Sequence, residues 1–299
     1  MHNPLYPDRF KMANKHTFVA LLKKHIESER LTLPIFDAVS LKIQLELVKK
    51  EPNLSTVAKL IIADQALSSH LIRIANSTQY QGLLPTRTVK GAIIRIGMVE
   101  VTRIVSADIH KKKARAHDKQ IDAIMKKLWQ HSVGCAFAAA FLSRRLDFGV
   151  MQDEAFFAAL FHDVGKLLIL KVIDEVKQKG KTVILTDDLL FNALDKLHAK
   201  QGYLLMQQIK MPPLFAAVAR DHHLRDYDRN NYILVLVKMA NTFCHWLGIG
   251  LINDPTIDIL KTTEAMQLNL TTADLTALKE FLETTPGLLS TNHDQLSGA

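Results

Sequence analysis

Residues 158–170 read A-A-L-F-H-D-V-G-K-L-L-I-L. His162 and Asp163 stand side by side in a run that is otherwise almost wholly apolar. Such a run belongs in a core, where an unpaired charge costs several kcal/mol and a carboxylate is normally paired or metal-bound. The two polar residues are therefore expected to hold a metal, to act on a ligand, or to satisfy each other.

The rest of the chain favours helix around this stretch. Among 299 residues there are only 12 Gly and 9 Pro, and Leu, Ala, Lys and Ile dominate, a mix of good helix formers. No alternating Val/Thr/Tyr stretches of the strand type occur. With 48% hydrophobic and 23% charged residues, the composition is that of a soluble globular protein. No apolar run reaches the roughly 18 residues of a membrane span, and the first residues lack the apolar core of a signal peptide. Cys135 and Cys244 lie far apart in apolar surroundings, which argues against a disulfide framework and for a reducing cytoplasm. The formal charge is +8, partly from Lys111, Lys112, Lys113 and Arg115. That run has no interleaved aromatics and no nucleic-acid motif accompanies it, so it reads as a solvated loop or helix end, and nucleic acid is not an expected partner.

Outward from the opening stretch, the pattern is a succession of helices. An amphipathic stretch starts at Phe18 and is broken near Pro34. Another runs to about Lys50. Asn53 or Ser55 caps the next helix and Asp64 the one after. Residues 79–87 form a loop, and Gly97 is expected to break the apolar run beyond it. The polar stretch from 107 to 120 marks a boundary between two helical lobes. A long helix then runs from Ile121 to about Arg145. Asp153 is expected to cap the helix carrying the opening stretch, with a loop after Lys179. Helices follow near 186–208, 212–222 and 230–247, and Thr271 or Thr272 caps a last one. Asn76 and Ser77 are expected to end their helix through local side-chain bonds. Arg73 and Arg95 either line a groove or sit on the surface. Trp129, Phe156, Phe157 and Trp246 are expected in the core, with Met206, Met211 and Met239 as gap-fillers.

The second half also carries a series of histidines: His131 in W-Q-H-S, His162-Asp163, His198 in K-L-H-A-K-Q-G, and His222-His223 in A-R-D-H-H. A single histidine on an apolar face is ordinarily a satisfied core residue. A set spread over several helices is different, because a metal takes its ligands from several elements, and imidazole with carboxylate suits Fe, Mn, Zn or Ni. Two such ions about 3.5–4 Å apart can share a carboxylate and promote attack on phosphorus.

The order H…HD…H…HH resembles the ligand series of the HD superfamily of metal-dependent phosphohydrolases. Within it, the chain resembles the HDOD domain, the HD-related output domain of bacterial signalling proteins. L-P-I-F at 33–36, D-Q-A-L-S-S-H-L-I-R-I-A-N-S and A-I-I-R-I-G-M-V-E-V resemble its N-terminal lobe. W-Q-H-S, the opening stretch, H-A-K-Q-G-Y-L-L and P-P-L-F-A-A-V-A-R-D-H-H resemble its HD-like lobe. The resemblance covers roughly residues 18–250. It implies an all-α fold, a two-lobed helical bundle: a leader over 1–15, an N-terminal lobe over 16–118, an HD-like lobe over 119–252, and a helical tail over 253–299 with a disordered end. It also implies that His131, His162, Asp163, His198, His222 and His223 are metal ligands, with Asp163 bridging. Lys166 would contact a substrate phosphate as a point charge, so Asp163 and Lys166 are the catalytic candidates.

Two departures bear on function. The superfamily's last ligand is an aspartate on a late helix, and Asn241 stands in its place in V-K-M-A-N-T-F. A neutral amide is a weaker ligand than a carboxylate, so one metal should bind less firmly. The branch that hydrolyses cyclic di-GMP carries G-Y-P after its HH pair, whereas this chain reads L-R-D-Y-D-R-N-N-Y, so the resemblance does not extend to that activity. The expectation is a regulatory HDOD protein with a partly retained divalent-metal site, partnered by a signalling protein or a phosphate-containing small ligand. The alternative is a metal-dependent phosphohydrolase acting on a nucleotide or other phosphate ester. No receiver, kinase or DNA-binding segment is read, so an input would come from a separate partner or through the N-terminal lobe.

Overall fold

A computed structural model describes residues 43, 46–47, 51–80, 82–113, 116–147, 150, 152–178 and 186–284, with the side chains of 65–66 and 106–113 left aside. The leader, the first amphipathic stretch, L-P-I-F, most of the 179–188 loop and the chain end lie outside these residues.

Among the described residues the fold is all-α, with no strand. The first group comprises α1 (Leu54–Ile62), α2 (Gln65–Ala75), α3 (Val89–Ile96) and α4 (Met98–Lys113). Asn53, Asp64 and Thr88 cap the first three, each accepting a backbone N–H of the opening turn and each worth about 1 kcal/mol. Gly97, at φ +87°, breaks the apolar run into α3 and α4. The basic run Lys111–Lys113 is the last turn of α4.

Asn76 does more than end α2. Its side-chain amide exchanges bonds with Thr86 N (2.8 Å) and Thr86 O (2.9 Å), closing the loop from 77 to 86. Arg95 supports that closure by donating to Leu84 O (2.6 Å) and Asn76 Oδ1 (3.2 Å). Only Ser77 acts locally, through Ile74 O.

The second group is built on α5 (Lys119–Leu146), around which lie α6 (Gln152–Phe161), α7 (Val164–Gln178), α8 (Asp187–Gln208), α9 (Pro213–Asp221) and α10 (Tyr232–Trp246). A 3₁₀ turn at Ile259–Lys261 and α11 (Thr263–Gln267) pack on α10, and α12 (Thr272–Thr284) packs on α5. Thr271 and Asp274 cap α12 reciprocally as a capping box does. Small residues at Gly134, Cys135, Ala136 and Ala138–Ala140 line α5, which lets its neighbours approach closely. Every residue of α6 from Ala155 to Phe161 is buried, the pattern of a helix covered on all sides. Trp129 and Trp246 are only partly buried, packed against the edge of the core that encloses Phe156, Phe157, Met206 and Met239. At the junction of the groups, Asp174 of α7 accepts from the backbone of His117 (3.1 Å) and Asp118 (3.0 Å), tying the α4–α5 connection down.

The opening stretch is not one helix. α6 ends at Phe161, α7 begins at Val164, and His162 and Asp163 occupy the break. Asp153 sits in the first turn of α6 rather than capping it. Gly165 explains why α7 can start where it does: a Cβ there would lie 2.0 Å from His198 O and 2.7 Å from Gly202 N. The backbones of α7 and α8 are therefore in direct contact, and that contact sets Asp163 beside His198. Gly165→Ala must push these helices apart. It should cost about 3 kcal/mol and lower Tm by roughly 6–12 °C. A thermal melt indistinguishable from the parent would contradict this packing.

Candidate metal centre

Asp163 is 2% exposed and sits at the centre of four imidazoles. His131 Nε2 and His162 Nε2 lie 3.8 and 3.5 Å from its Oδ2. His198 Nε2 and His222 Nε2 lie 3.5 and 3.4 Å from its Oδ1. Each ring comes from a different place: His131 from α5, His162 from the α6–α7 break, His198 from α8, and His222 from the C-terminal end of α9. His223 follows His222, with its ring centroid 4.1 Å away, and is exposed.

The ring protons can be assigned from their partners. His131 Nδ1 faces Ile249 O at 3.0 Å, His162 Nδ1 faces Ala159 O at 2.6 Å, His198 Nδ1 faces Leu194 O at 2.6 Å, and His222 Nδ1 faces Ala219 O at 3.0 Å. A carbonyl oxygen only accepts, so each Nδ1 donates and each Nε2 of the neutral ring carries a lone pair. Burial, the largest influence on each, keeps the rings neutral. It pushes His131 and His222 down to about 4 and His162 to about 3, and lowers His198.

Four lone pairs therefore converge on a carboxylate. One contact within the cluster sets acceptor against acceptor: His198 Nε2 meets His222 Nε2 at 3.3 Å. His131 Nε2 has the Asn241 amide at 2.9 Å and the Cys135 thiol at 3.6 Å. His162 Nε2 and Asp163 Oδ1 have no hydrogen-bond partner. These rings cannot satisfy one another as a closed polar network. A cation between them would satisfy the set, and imidazole nitrogens whose other nitrogen donates to a carbonyl are the usual form of a metal-ligating histidine. The donor set fits a divalent metal: Asp163, His198, His222 and His223 each offer a ligand atom, all within 4.8 Å of one another.

The two halves of the cluster differ. Oδ1 is unpartnered and faces His198 and His222, with His223 beside them. Oδ2 is already bonded by Lys166 Nζ at 2.6 Å, and its half has the neutral Asn241 as a further oxygen. Burial pushes the Asp163 carboxyl up, but the Lys166 ammonium beside it is the largest opposing influence, and the group lies well below its usual range. The Oδ2 half is thus poor in negative charge.

Gly250 sets the His131 ring. At φ +118°, it places Ile249 O on Nδ1, and a Cβ there would lie 2.7 Å from His131 Cβ. His245 is a member that sequence reading passed over. It lies one helical turn beyond Asn241 on α10, and its ring stacks on His131 at 5.0 Å and 13°. Its spacing from Asn241 is the signal that could have found it, because residues four apart share a helix face. A cavity of about 240 Å³ opens onto His131, Asp163, Lys166, Asp195 and His245.

A metal titration should resolve one tight and one weak equivalent. His222→Ala should abolish the tight one while His162→Ala spares it, and Asn241→Asp should strengthen the weak one about tenfold or more. Equal loss in both alanine variants would contradict the asymmetry. The pH response is fixed by the depressed histidines. Between the unfolded value near 6.5 and the folded values near 3 to 4, the unfolded chain binds more protons. Metal-free protein should therefore lose stability as pH falls from about 6.5 to 4, seen as a falling urea midpoint. A flat midpoint across that window would contradict neutral, buried rings.

The family model of the HDOD domain matches residues 33–224, more than half of the chain. An HDOD domain protein of unknown function from Geobacter sulfurreducens superposes with a TM-score of 0.65 at 18% identity, covering 90% of this chain and 94% of that one. A candidate metal-dependent phosphohydrolase from Shewanella amazonensis SB2B gives 0.59 at 20% identity, covering 89% and 99%. A candidate signal transduction protein from Marinobacter aquaeolei VT8 gives 0.60 at 17% identity, covering 83% and 56%. These structures share the fold. A protein of Treponema pallidum (strain Nichols) is 20% identical over 222 residues, 72% of this chain and 42% of that protein, so the chain spans less than half the length of this relative. On the match to the family model, the chain belongs to the HDOD domain family.

Proposed function

We propose that this chain is a regulatory HDOD module that holds a divalent metal at the Asp163–histidine cluster and, through it, binds a phosphate ester. The observation carrying this reading is the convergence of four proton-free Nε2 atoms on one buried carboxylate. A bound divalent ion would supply Lewis-acid charge for phosphate oxygens. His198, His222, His223 and Asp163 Oδ1 would hold it, and His131, His162 and Asn241 would offer a second, weaker position.

Charge supports the choice of ligand. The Asp163 carboxylate and the Lys166 ammonium offset each other, so a divalent ion leaves the cavity positive even with Asp195 at its edge. An anionic phosphate ester offsets that surplus. The Lys166 side chain is 15% exposed, and its ammonium, a compact point charge with three donors, faces the cavity where a phosphate would arrive.

Hydrolysis of the bound ester is the second reading, favoured by the cavity reaching Asp163 and Lys166 directly. It requires an open coordination position and a placed substrate. Single-turnover assays of phosphate release from metal-loaded protein separate the two readings: release supports hydrolysis, and binding without release supports a regulatory role alone.

Lys166→Ala tests the phosphate contact. It should weaken orthophosphate binding to the metal-loaded protein about tenfold or more while metal content stays at or above the parent's, because Asp163 Oδ2 is freed. Unchanged phosphate affinity would remove Lys166 from the site.

A further inference from the structure

The cavity over the cluster has a second character, which the metal and the lysine do not use. Leu128 of α5, Phe191 and Leu194 of α8, and Leu251 and Ile252 of the segment after α10 form most of its remaining wall. Phe191 and Ile252 are 45% and 48% exposed. Each is a large apolar side chain left in water at the mouth of a polar site, so covering both would be favourable. Three separate segments supply this wall, so it is a built feature of the pocket.

The polar inventory of the same cavity is short. Among the described residues, Lys166 is the one cationic side chain of its wall, and besides the cluster's own Asp163 and His131 only Asp195 and His245 add polar side chains. A di- or triphosphate needs several cations or bidentate arginines to offset its charge, and among the described residues none besides Lys166 lines the cavity. A sugar phosphate would bring hydroxyls against Leu128, Leu251 and Ile252, side chains that offer them no hydrogen bond. The volume, about 240 Å³, lies below the roughly 300–1,000 Å³ of sites for drug-sized ligands, so the part of an occupant that it encloses is compact.

Resting on the reading of this site as a phosphate-ester pocket, the geometry points to a specific ligand class: a phosphate monoester with a single phosphoryl group and a compact, flat apolar body. The phosphoryl group meets Lys166 and the cluster. The body lies against Phe191, Leu251 and Ile252, and His245, stacked on His131, borders the point where the two parts join.

The test is calorimetric binding to the metal-loaded full chain, with phenyl phosphate, orthophosphate, ribose 5-phosphate and pyrophosphate as probes. Phenyl phosphate should bind about tenfold or more tightly than the other three. Phe191→Ala and Ile252→Ser, both at exposed positions that leave the core intact, should remove that margin. Their effect on orthophosphate should be small, because it does not reach the wall. Ribose 5-phosphate or pyrophosphate binding as tightly as phenyl phosphate would overturn the proposal while leaving the phosphate pocket standing. An equal loss for all four probes in the two variants would also overturn it, since the wall would then act on the fold. Failure of every probe to bind, with Lys166→Ala indistinguishable from the parent, would overturn the phosphate pocket and this proposal together.

Discussion

A carboxylate that is 2% exposed in an apolar interior must find positive charge or donors, and the second half of this molecule is arranged around that requirement at Asp163. The side chain stands in a two-residue break between α6 and α7, a break too short to carry it to the surface. Lys166, one turn ahead on α7, offsets the charge at Oδ2. Nothing offsets Oδ1. Around it, burial strips four imidazoles of a second proton, and backbone carbonyls claim the one that each retains. The result is a buried concentration of negative potential that the fold itself maintains. The α7 and α8 backbones meet at Gly165, and Gly250 packs on the His131 side chain, two places where a side chain has no room.

That arrangement separates two ideas which histidine clusters often blur. A network of histidines bonding one another needs alternating donors and acceptors. Here the tautomers are fixed from outside, acceptor faces acceptor at the His198–His222 contact, and His162 Nε2 has no partner. A buried water donates two hydrogens at most and cannot serve all of these atoms alone. A cation can. The substitution at 241 matters within this picture because it removes charge from the half where Lys166 already claims the carboxylate oxygen, so the two halves are unequal for two reasons that add.

Much of this was legible in the chain. The all-helical fold followed from the scarcity of Gly and Pro and from apolar periodicity, and caps such as Asn53, Asp64 and Thr271 were marked by residue type. The histidines were readable as a group because they recur in order on separate helices. Other features depend on distances that no local pattern encodes. The break at His162–Asp163 sits inside a continuous apolar run, and packing against α8 decides it, through Gly165. Asn76 was read as a local terminator, but its partner is Thr86 across a loop, a closure visible only in space. His245 lay within reach of helical spacing from Asn241 and was passed over because it belongs to no ligand series. The apolar mouth formed by Phe191 and Ile252 carries no sequence signal, since single exposed apolar residues are ordinary.

The central claim is that the lone pairs around Asp163 hold a metal ion. Elemental mass spectrometry on protein purified without chelator and without a metal-affinity tag tests it most directly. The account predicts about one firmly held equivalent of Fe, Mn, Zn or Ni per chain, with a second acquired only at higher metal concentration. A chain that carries no metal, and takes up none on reconstitution, would contradict it.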